Sequence, residues 1–126
     1  MKFVLLAAAK VHRFDMKITN KCFAPINNIP LINYSLELVL PQYFDELIII
    51  VGHNAEYIMK YMGESYQGIK ITYVYQEPQL GIAHAILLAA PYINSDFMMC
   101  LSDEITVHPR IMSMMEKFKH SDTDCL

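Results

Sequence analysis

The segment AKVHRFDMK, residues 9–17, concentrates side chains that can bind phosphate. Lys10, His12, Arg13 and Lys17 place four basic or titratable groups within eight residues. Because cationic side chains near the start of a helix attract anions, the segment suits a phosphate group. A solvated surface loop would have the same composition, and the segment alone leaves both interpretations open.

Two carboxylates follow an apolar stretch in the last quarter of the chain. The sequence FMMCLSDE places Asp103 and Glu104 just after Leu101. Mg²⁺ takes oxygen ligands and keeps several of its waters, so a carboxylate at this position can bind it. An aspartate that caps a loop is the alternative, and the sequence is equally compatible with both.

A further polar group ends the alternating stretch GIKITYVYQ. Gln76 offers both a hydrogen-bond donor and an acceptor, which suits the edge of a base or a sugar. Gly81, five residues later, either lets a backbone approach a ligand closely or simply starts a helix. His84 is interpreted as a helix-surface or packing residue and His53 as a loop residue, rather than as ligands.

Apolar runs alternate with helical patterns along the chain. Continuous or alternating apolar residues predict strands over residues 3–8, 47–51, 69–75 and 97–101. Apolar residues on a helical period predict helices over residues 31–40, 81–90 and 109–119, and a further helix that Asn54 can cap and that runs through residue 62. This alternation predicts a three-layer α/β domain with a mainly parallel sheet. In such sheets ligands bind at the carboxyl ends of the strands, and each polar group above follows a predicted strand.

The overall composition is that of one folded domain. The 126 residues are 54% apolar and 18% charged, which excludes an intrinsically disordered chain. The net charge of −3 excludes the basic footprint of a nucleic-acid-binding protein. The apolar start is interpreted as a buried strand rather than a signal peptide, and no run approaches the ~20 apolar residues of a membrane span. Three widely separated cysteines favour a reducing compartment, and we expect a cytoplasmic protein.

Five segments together resemble a known family. They are MKFVLLAAAKVHRF, APINNIPLINYSLELVL, FDELIIIVGHN, GIKITYVYQEPQLGIAHAILLA and CLSDEI. Their order and spacing resemble the sugar-nucleotide pyrophosphorylases, the nucleotidyltransferases that join a sugar 1-phosphate to a nucleoside triphosphate. The segment PQLGIAHAI is most similar to glucose-1-phosphate thymidylyltransferases. The resemblance implies a Rossmann-like nucleotidyltransferase fold, of which residues 1–126 form a single N-terminal nucleotide-binding part.

The resemblance also implies roles for individual residues. Arg13 and Lys21 match positions that act on the phosphates in catalysis, and Asp103 matches the aspartate that binds Mg²⁺. The implied nucleotide-binding residues are Ala8, Ala9, Lys10, Val11, Gln76 and Gly81. The implied substrates are a nucleoside triphosphate, dTTP or UTP first, and a sugar 1-phosphate. The implied chemistry is in-line attack of a sugar-phosphate oxygen on the α-phosphorus, with pyrophosphate as the leaving group.

The chain departs from the family pattern in its first loop and in its length. The family's G-x-G-T-R reads Ala9-Lys10-Val11-His12-Arg13 here, and Val11 resists the positive φ that glycine adopts. Family members also continue well past 126 residues, into a half that carries the sugar-binding residues. Activity of this chain alone therefore stays open, and the alternatives are a non-catalytic nucleotide- or partner-binding relative and a fragment of a longer enzyme. We expect a homo-oligomer or a partner chain, no nucleic acid and no membrane.

Overall fold

The computed structural model describes residues 1–9, 20–53, 55–106 and 108–125, and its centre is a five-stranded sheet. The strands of this sheet are β1 (Lys2–Leu6), β4 (Glu46–Val51), β5 (Ser65–Tyr66), β6 (Ile69–Tyr75) and β7 (Phe97–Leu101). A separate hairpin is formed by β2 (Pro25–Ile26) and β3 (Ile29–Pro30). The helices are α1 (Leu31–Leu36), α2 (Ala55–Met62), α3 (Ile82–Ala89) and α4 (His108–Lys119).

The central sheet is mainly parallel and has the strand order β5-β6-β4-β1-β7. β1 pairs in parallel with both β4 and β7, and β4 pairs in parallel with β6. Among the strands of this sheet that the structure describes, β5 alone is antiparallel to its neighbour. The predicted α/β class is therefore confirmed. The chain passes from β1 outward to β4 and β6 and then returns with β7 to the other side of β1, and ligands bind at such a reversal.

Two apolar cores cover the two faces of the sheet and produce the three predicted layers. One core joins the sheet to α1, α2 and α4 through buried residues such as Phe3, Ile49 and Ile58. The other joins it to α3, whose Ala85 and Ala89 pack on the opposite face. β1 and β4 are covered on both sides, which explains why their sequences are continuous apolar runs. Within the described ranges, no helix is long and apolar enough to cross a membrane.

The predicted strands agree with the structure to within two residues, whereas the first predicted helix is too long. Helix 31–40 was expected from its apolar period, but α1 ends at Leu36. Leu38 and Val39 are buried and follow as tight turns, with Leu38 N donating to Ser35 O at 3.2 Å. Pro41 disfavours the helical conformation at the residue before it and has no N–H to donate, so the helix cannot continue through residues 40 and 41.

Two tight hairpin turns escape the sequence patterns. Asn27 and Asn28 join β2 to β3 with φ of 51° and 63°, and Gln67 and Gly68 join β5 to β6 with φ of 49° and 81°. Two successive positive φ values suit a two-residue hairpin, because the turn then twists in the same sense as its strands. The Asn-Asn pair was the available signal, since asparagine tolerates the left-handed region better than most residues.

β7 forms an open edge of the sheet in the described part of the chain. Its Phe97 and Met99 are 40% and 38% exposed, a high value for large apolar side chains. An apolar cavity of 490 Å³ lies beside the strand, and Met98, Met114 and Phe118 contribute to its lining. Unpaired edges with apolar side chains tend to pair with further polypeptide.

Candidate functional site

The carboxyl ends of four strands meet at one edge of the sheet, here called the carboxyl edge. Backbone pairing continues past the strand ends, because Ala7 N donates to Ile50 O at 2.8 Å and Gln76 N to Val51 O at 2.8 Å. Ser102 N donates in the same way to the last residue of β1, at 3.0 Å. The loops after β1, β4, β6 and β7 therefore leave the sheet at one level, and their first residues surround a common surface.

Lys21 and Asp103 form an ion pair at the carboxyl edge, although 82 residues separate them in the sequence. Lys21 Nζ donates to Asp103 Oδ2. The lysine side chain is 38% exposed and the aspartate side chain 25%, so a ligand can reach both. The structure thus brings together the residue implied to act on phosphates and the residue implied to bind the metal. Their roles stay predictions.

Asn20 fixes the short 3₁₀-helix, Lys21–Phe23, on which Lys21 lies. The Asn20 side chain is almost fully buried, and its Oδ1 accepts a hydrogen bond from Cys22 N at 3.0 Å. Its Nδ2 donates to His53 O, in the loop after β4, at 3.4 Å. Asn20 therefore ties Lys21 to the carboxyl edge. No role for Asn20 follows from the sequence patterns above, although asparagine directly before a helical turn is a common N-cap.

Replacing Asn20 with Ala is expected to lower the free energy of unfolding by about 1–2 kcal/mol, because the cap and a buried hydrogen bond are both lost. Asn20→Ser is the matched control, since serine retains an oxygen that can cap the same N–H. Urea denaturation of the three proteins, followed by circular dichroism, measures the difference. Equal stabilities for Asn20→Ala and the parent would show that this contact does not hold the segment.

A buried polar layer supports the ion pair from inside the domain. Cys22 Sγ lies 3.0 Å from Ser102 Oγ, and burial raises the pKa of the Cys22 thiol to about 11. The thiol is therefore protonated at neutral pH and acts as packing rather than as a nucleophile. The Ser35 hydroxyl lies 3.1 Å from Leu101 O and 3.2 Å from Glu104 O, so it bridges the two ends of the turn after β7.

Gln76 and Gly81 lie on the loop between β6 and α3, and they contact each other. Gln76 is 5% exposed, and its Nε2 donates to Gly81 O at 2.9 Å. The same Nε2 lies 3.2 Å from Nδ1 of His84, in the first turn of α3. Gly81 has φ of 96°, a conformation that favours glycine, and it immediately precedes α3. The base-recognition roles of Gln76 and Gly81 stay predictions.

Ala8 follows β1 and packs against the loop after β4. A Cβ on Gly52 would lie 3.1 Å from both Ala8 O and Ala8 Cβ, so glycine permits this close approach. Gln79 Nε2 donates to Ala8 O and ties the loop after β6 to the end of β1. Ala9 is exposed. Gly52 and Gln79 are not among the predicted site residues, and the available signal in the sequence was a glycine directly after a strand.

Five residues singled out in the predicted phosphate-binding loop lie outside the described residues. They are Lys10, Val11, His12, Arg13 and Lys17. Their implied roles therefore rest on the sequence alone. Of the remaining predicted residues, Ala8 and Ala9 lie on the loop after β1, Lys21 lies on the 3₁₀-helix, and Asp103 follows β7. Gln76 and Gly81 lie on the loop after β6.

Asp103 fits a magnesium ion that arrives with a substrate better than one held by the protein alone. No group of three or more His, Cys, Asp or Glu side chains in the described ranges converges as a metal site. Mg²⁺ is commonly bound through one or two carboxylates together with substrate phosphates and water. The partly exposed carboxylate of Asp103, next to the ammonium group of Lys21, suits that mode.

The parallel sheet, its reversal at β1 and its polar carboxyl edge define an α/β domain of the Rossmann-like class. The family model described as nucleotidyl transferase matches residues 13–126. The chain belongs to the nucleotidyl transferase family. It is also 31% identical, over 83% of its length, to the UTP–glucose-1-phosphate uridylyltransferase AglF of Haloferax volcanii. It is 32% identical, over 69% of its length, to a glucose-1-phosphate thymidylyltransferase of Streptomyces griseus.

A solved structure agrees with the fold. The crystal structure of an apo UDP-glucose pyrophosphorylase superposes with a TM-score of 0.74 and 23% sequence identity, over 94% of this chain and 55% of that one. The present chain spans 44% of the Haloferax relative and 25% of the Streptomyces relative. The resemblance to sugar-nucleotide transferases is therefore confirmed for the part of those proteins that the chain matches.

Proposed function

We propose that this chain binds a nucleoside triphosphate across its carboxyl edge as the nucleotide-binding part of a sugar-1-phosphate nucleotidyltransferase. The observation that carries the proposal is the Lys21–Asp103 pair, which places a reachable cation and a reachable carboxylate side by side. A metal–triphosphate complex carries both kinds of charge. Its phosphates can bind the lysine, and its metal ion can bind the carboxylate. The similar proteins named above are transferases for glucose 1-phosphate, and UTP or dTTP is the first candidate nucleotide.

In the proposed reaction, a sugar-phosphate oxygen attacks the α-phosphorus while the bond to the pyrophosphate oxygen breaks. One P–O bond forms and one breaks, so the protein contributes positioning and charge rather than a covalent intermediate. Lys21 offsets negative charge on the phosphates, and Arg13 is proposed to act with it. A magnesium ion bound at Asp103 would supply further charge neutralisation.

Nucleotide binding without turnover is the second candidate function. Ala9 and Val11 stand where the family loop has glycines, and a Cβ there holds phosphates away from backbone N–H groups. Isothermal titration with UTP, with and without Mg²⁺, tests binding. Release of pyrophosphate from UTP and glucose 1-phosphate tests transfer. Binding with no pyrophosphate release would favour the second candidate, and no binding of UTP or dTTP would refute both.

Replacing Gln76 with Ala is expected to reduce discrimination between UTP and CTP by about tenfold, because the side chain contacts a base edge and not the phosphates. The affinity for tripolyphosphate, which has no base, should stay within twofold of the parent. Gln67→Ala is the matched control, since Gln67 lies in the β5–β6 turn, away from the carboxyl edge. An equal loss of affinity for UTP, CTP and tripolyphosphate would contradict the base-reading role.

We propose that β7 binds further polypeptide, from a second copy or from a partner chain. The support is the exposure of Phe97 and Met99 on an open edge and the adjacent apolar cavity. Met99→Lys is expected to convert an associated species to the monomer in sedimentation velocity, because a charge on an apolar contact opposes pairing. Met59→Lys on α2 is the control, since Met59 is 40% exposed but lies away from β7. A monomeric parent protein would contradict pairing with a second copy.

We propose a cytoplasmic location because of the state of the buried cysteines. Cys22 and Cys100 are buried thiols without a disulfide partner, as is usual for proteins of a reducing compartment. Burial also raises the pKa of the Cys100 thiol, so both groups remain protonated at neutral pH. The two cysteines serve as small apolar packing residues in this setting.

A further inference from the structure

We propose that His84 is a positioning residue that locks the side-chain amide of Gln76, so that the site selects a pyrimidine with a ring N–H, such as uracil or thymine. The inference rests on the proposed nucleotide site and adds a residue to it. It follows from three groups that meet at the start of α3: the Gln76 amide, Gly81 O and the His84 ring.

The carbonyl of Gly81 decides which way the Gln76 amide faces. Gly81 O is an acceptor only, and it lies 2.9 Å from the terminal group of Gln76. An amide turned by 180° would place Oε1 against this carbonyl, and two acceptors at that distance repel each other. The NH₂ group therefore faces Gly81, and Oε1 faces away from it.

His84 uses the second hydrogen of the same NH₂ group. Its Nδ1 lies 3.2 Å from Gln76 Nε2. Because the NH₂ group can only donate, Nδ1 must accept, and a neutral imidazole that accepts at Nδ1 carries its proton on Nε2. Both amide hydrogens are then engaged within the protein, and rotation of the amide would break two hydrogen bonds at once.

Gln76 and His84 are held by different elements. Gln76 continues the β6 ladder, since its N donates to Val51 O at 2.8 Å. His84 belongs to α3, which is fixed on the sheet by the fully packed Ala85 and Ala89. The positive φ of Gly81 turns the chain between them, so that its carbonyl also reaches the amide. A strand, a helix start and a glycine turn thus converge on one side chain.

The lock leaves one polar atom of Gln76 for a ligand. Oε1 receives no hydrogen bond from any residue in the described ranges. The site therefore presents a fixed acceptor, which suits the ring N3–H of uracil or thymine. Cytosine has a lone pair at N3, and two facing acceptors would repel each other. Without His84, one hydrogen bond rather than two holds the amide, so the amide turns more easily to offer its NH₂ group to that lone pair, and discrimination falls.

His84→Leu and His84→Asn separate this role from simple packing. Leucine removes the acceptor, whereas the Oδ1 of asparagine can take the place of Nδ1. We expect His84→Leu to lower the ratio of UTP to CTP affinity, measured by isothermal titration with Mg²⁺, by about tenfold. His84→Asn should keep that ratio within about threefold of the parent. Leu87→Ala, at an exposed position of the same helix, is the control and should change nothing.

A nucleotide-free measurement tests the lock independently. In ¹⁵N-resolved NMR spectra of the parent, His84 should show the tautomer with its proton on Nε2, and the Gln76 side-chain NH₂ should be shielded from solvent exchange. His84→Leu should lose that shielding. A proton on Nδ1 of His84, or unchanged UTP:CTP ratios in His84→Leu, would overturn the inference. Failure of the parent to bind UTP, CTP or tripolyphosphate would overturn the proposed function and the base selection. The tautomer of His84 would still show whether His84 accepts a hydrogen bond from Gln76.

Discussion

Asp103→Asn is expected to change the affinity for UTP in opposite directions with and without Mg²⁺. The substitution removes the carboxylate that we propose as a metal ligand, so the gain in affinity on adding Mg²⁺ should fall by about 10- to 100-fold. It also frees the ammonium group of Lys21 from its partner. In EDTA, the affinity should therefore rise by about fivefold, in keeping with the strength of a partly exposed ion pair.

Lys21→Met provides the complementary result. Methionine retains much of the apolar stem of lysine but removes the cation, so the affinity for UTP in EDTA should fall by about 10- to 100-fold. The gain in affinity on adding Mg²⁺ should remain, because Asp103 is intact. Isothermal titration of the parent and both variants with UTP, in EDTA and in Mg²⁺, gives the six affinities to compare.

Glu104→Gln is the matched control for Asp103→Asn. It removes one negative charge at the neighbouring residue, but Glu104 is exposed and its carbonyl, rather than its side chain, contacts Ser35. Long-range charge effects should therefore be alike in the two variants, and only Asp103→Asn should lose the gain from Mg²⁺. If Asp103→Asn retained that gain in full, Asp103 would not be a metal ligand. Ions in the buffer should be held constant, because screening weakens all these effects.

The sequence predicts the sheet well because each of its long strands is a continuous or alternating run of apolar residues. β6 and β7 begin and end where their apolar patterns do, and β1 and β4 differ from their predicted bounds by at most two residues. The end of α1 was harder to predict, since the residues after it are also apolar and only their packing shows that they leave the helix. Short hairpins such as β2–β3 contain too few residues to show a period.

The candidate site likewise has a part that the sequence predicts and a part that it does not. Lys21, Gln76 and Asp103 were selected because their residue types and the family resemblance point to phosphate, base and metal. The contacts that orient them were not, because no local pattern relates the positions they join. Asn20 contacts His53 and Gly52 contacts Ala8 across long stretches of chain, and Gln76 meets His84 across an irregular loop. A pattern in one sequence carries the type of a residue and its local period, but not which distant carbonyl or ring it will meet.

Phe3→Ala is expected to have the largest effect on stability. Phe3 is fully buried in β1, and its ring lies edge-on to that of Phe44, with centroids 5.0 Å apart and an angle of 89° between the planes. Removing the ring leaves a cavity that the close-packed sheet and helices cannot fill, at a cost of about 3–5 kcal/mol. Because domains of this size have only about 5–15 kcal/mol of stability, the variant should unfold at much lower urea concentration than the parent.

Phe97→Ala tests whether the loss of stability depends on burial of the phenylalanine rather than on its residue type. Phe97 lies on the β7 edge and is 40% exposed, so Phe97→Ala should cost less than about 1 kcal/mol in the monomer.

Phe3 also belongs to the strand whose carboxyl end leads into Ala7–Ala9, so partial unfolding of Phe3→Ala should lower the apparent UTP affinity in proportion to the unfolded fraction. Correcting for that fraction, measured by circular dichroism at the titration temperature, should restore the parent affinity. A stability loss at Phe97 equal to that at Phe3 would mean that β7 is covered in solution, and it would favour the association proposed for that edge.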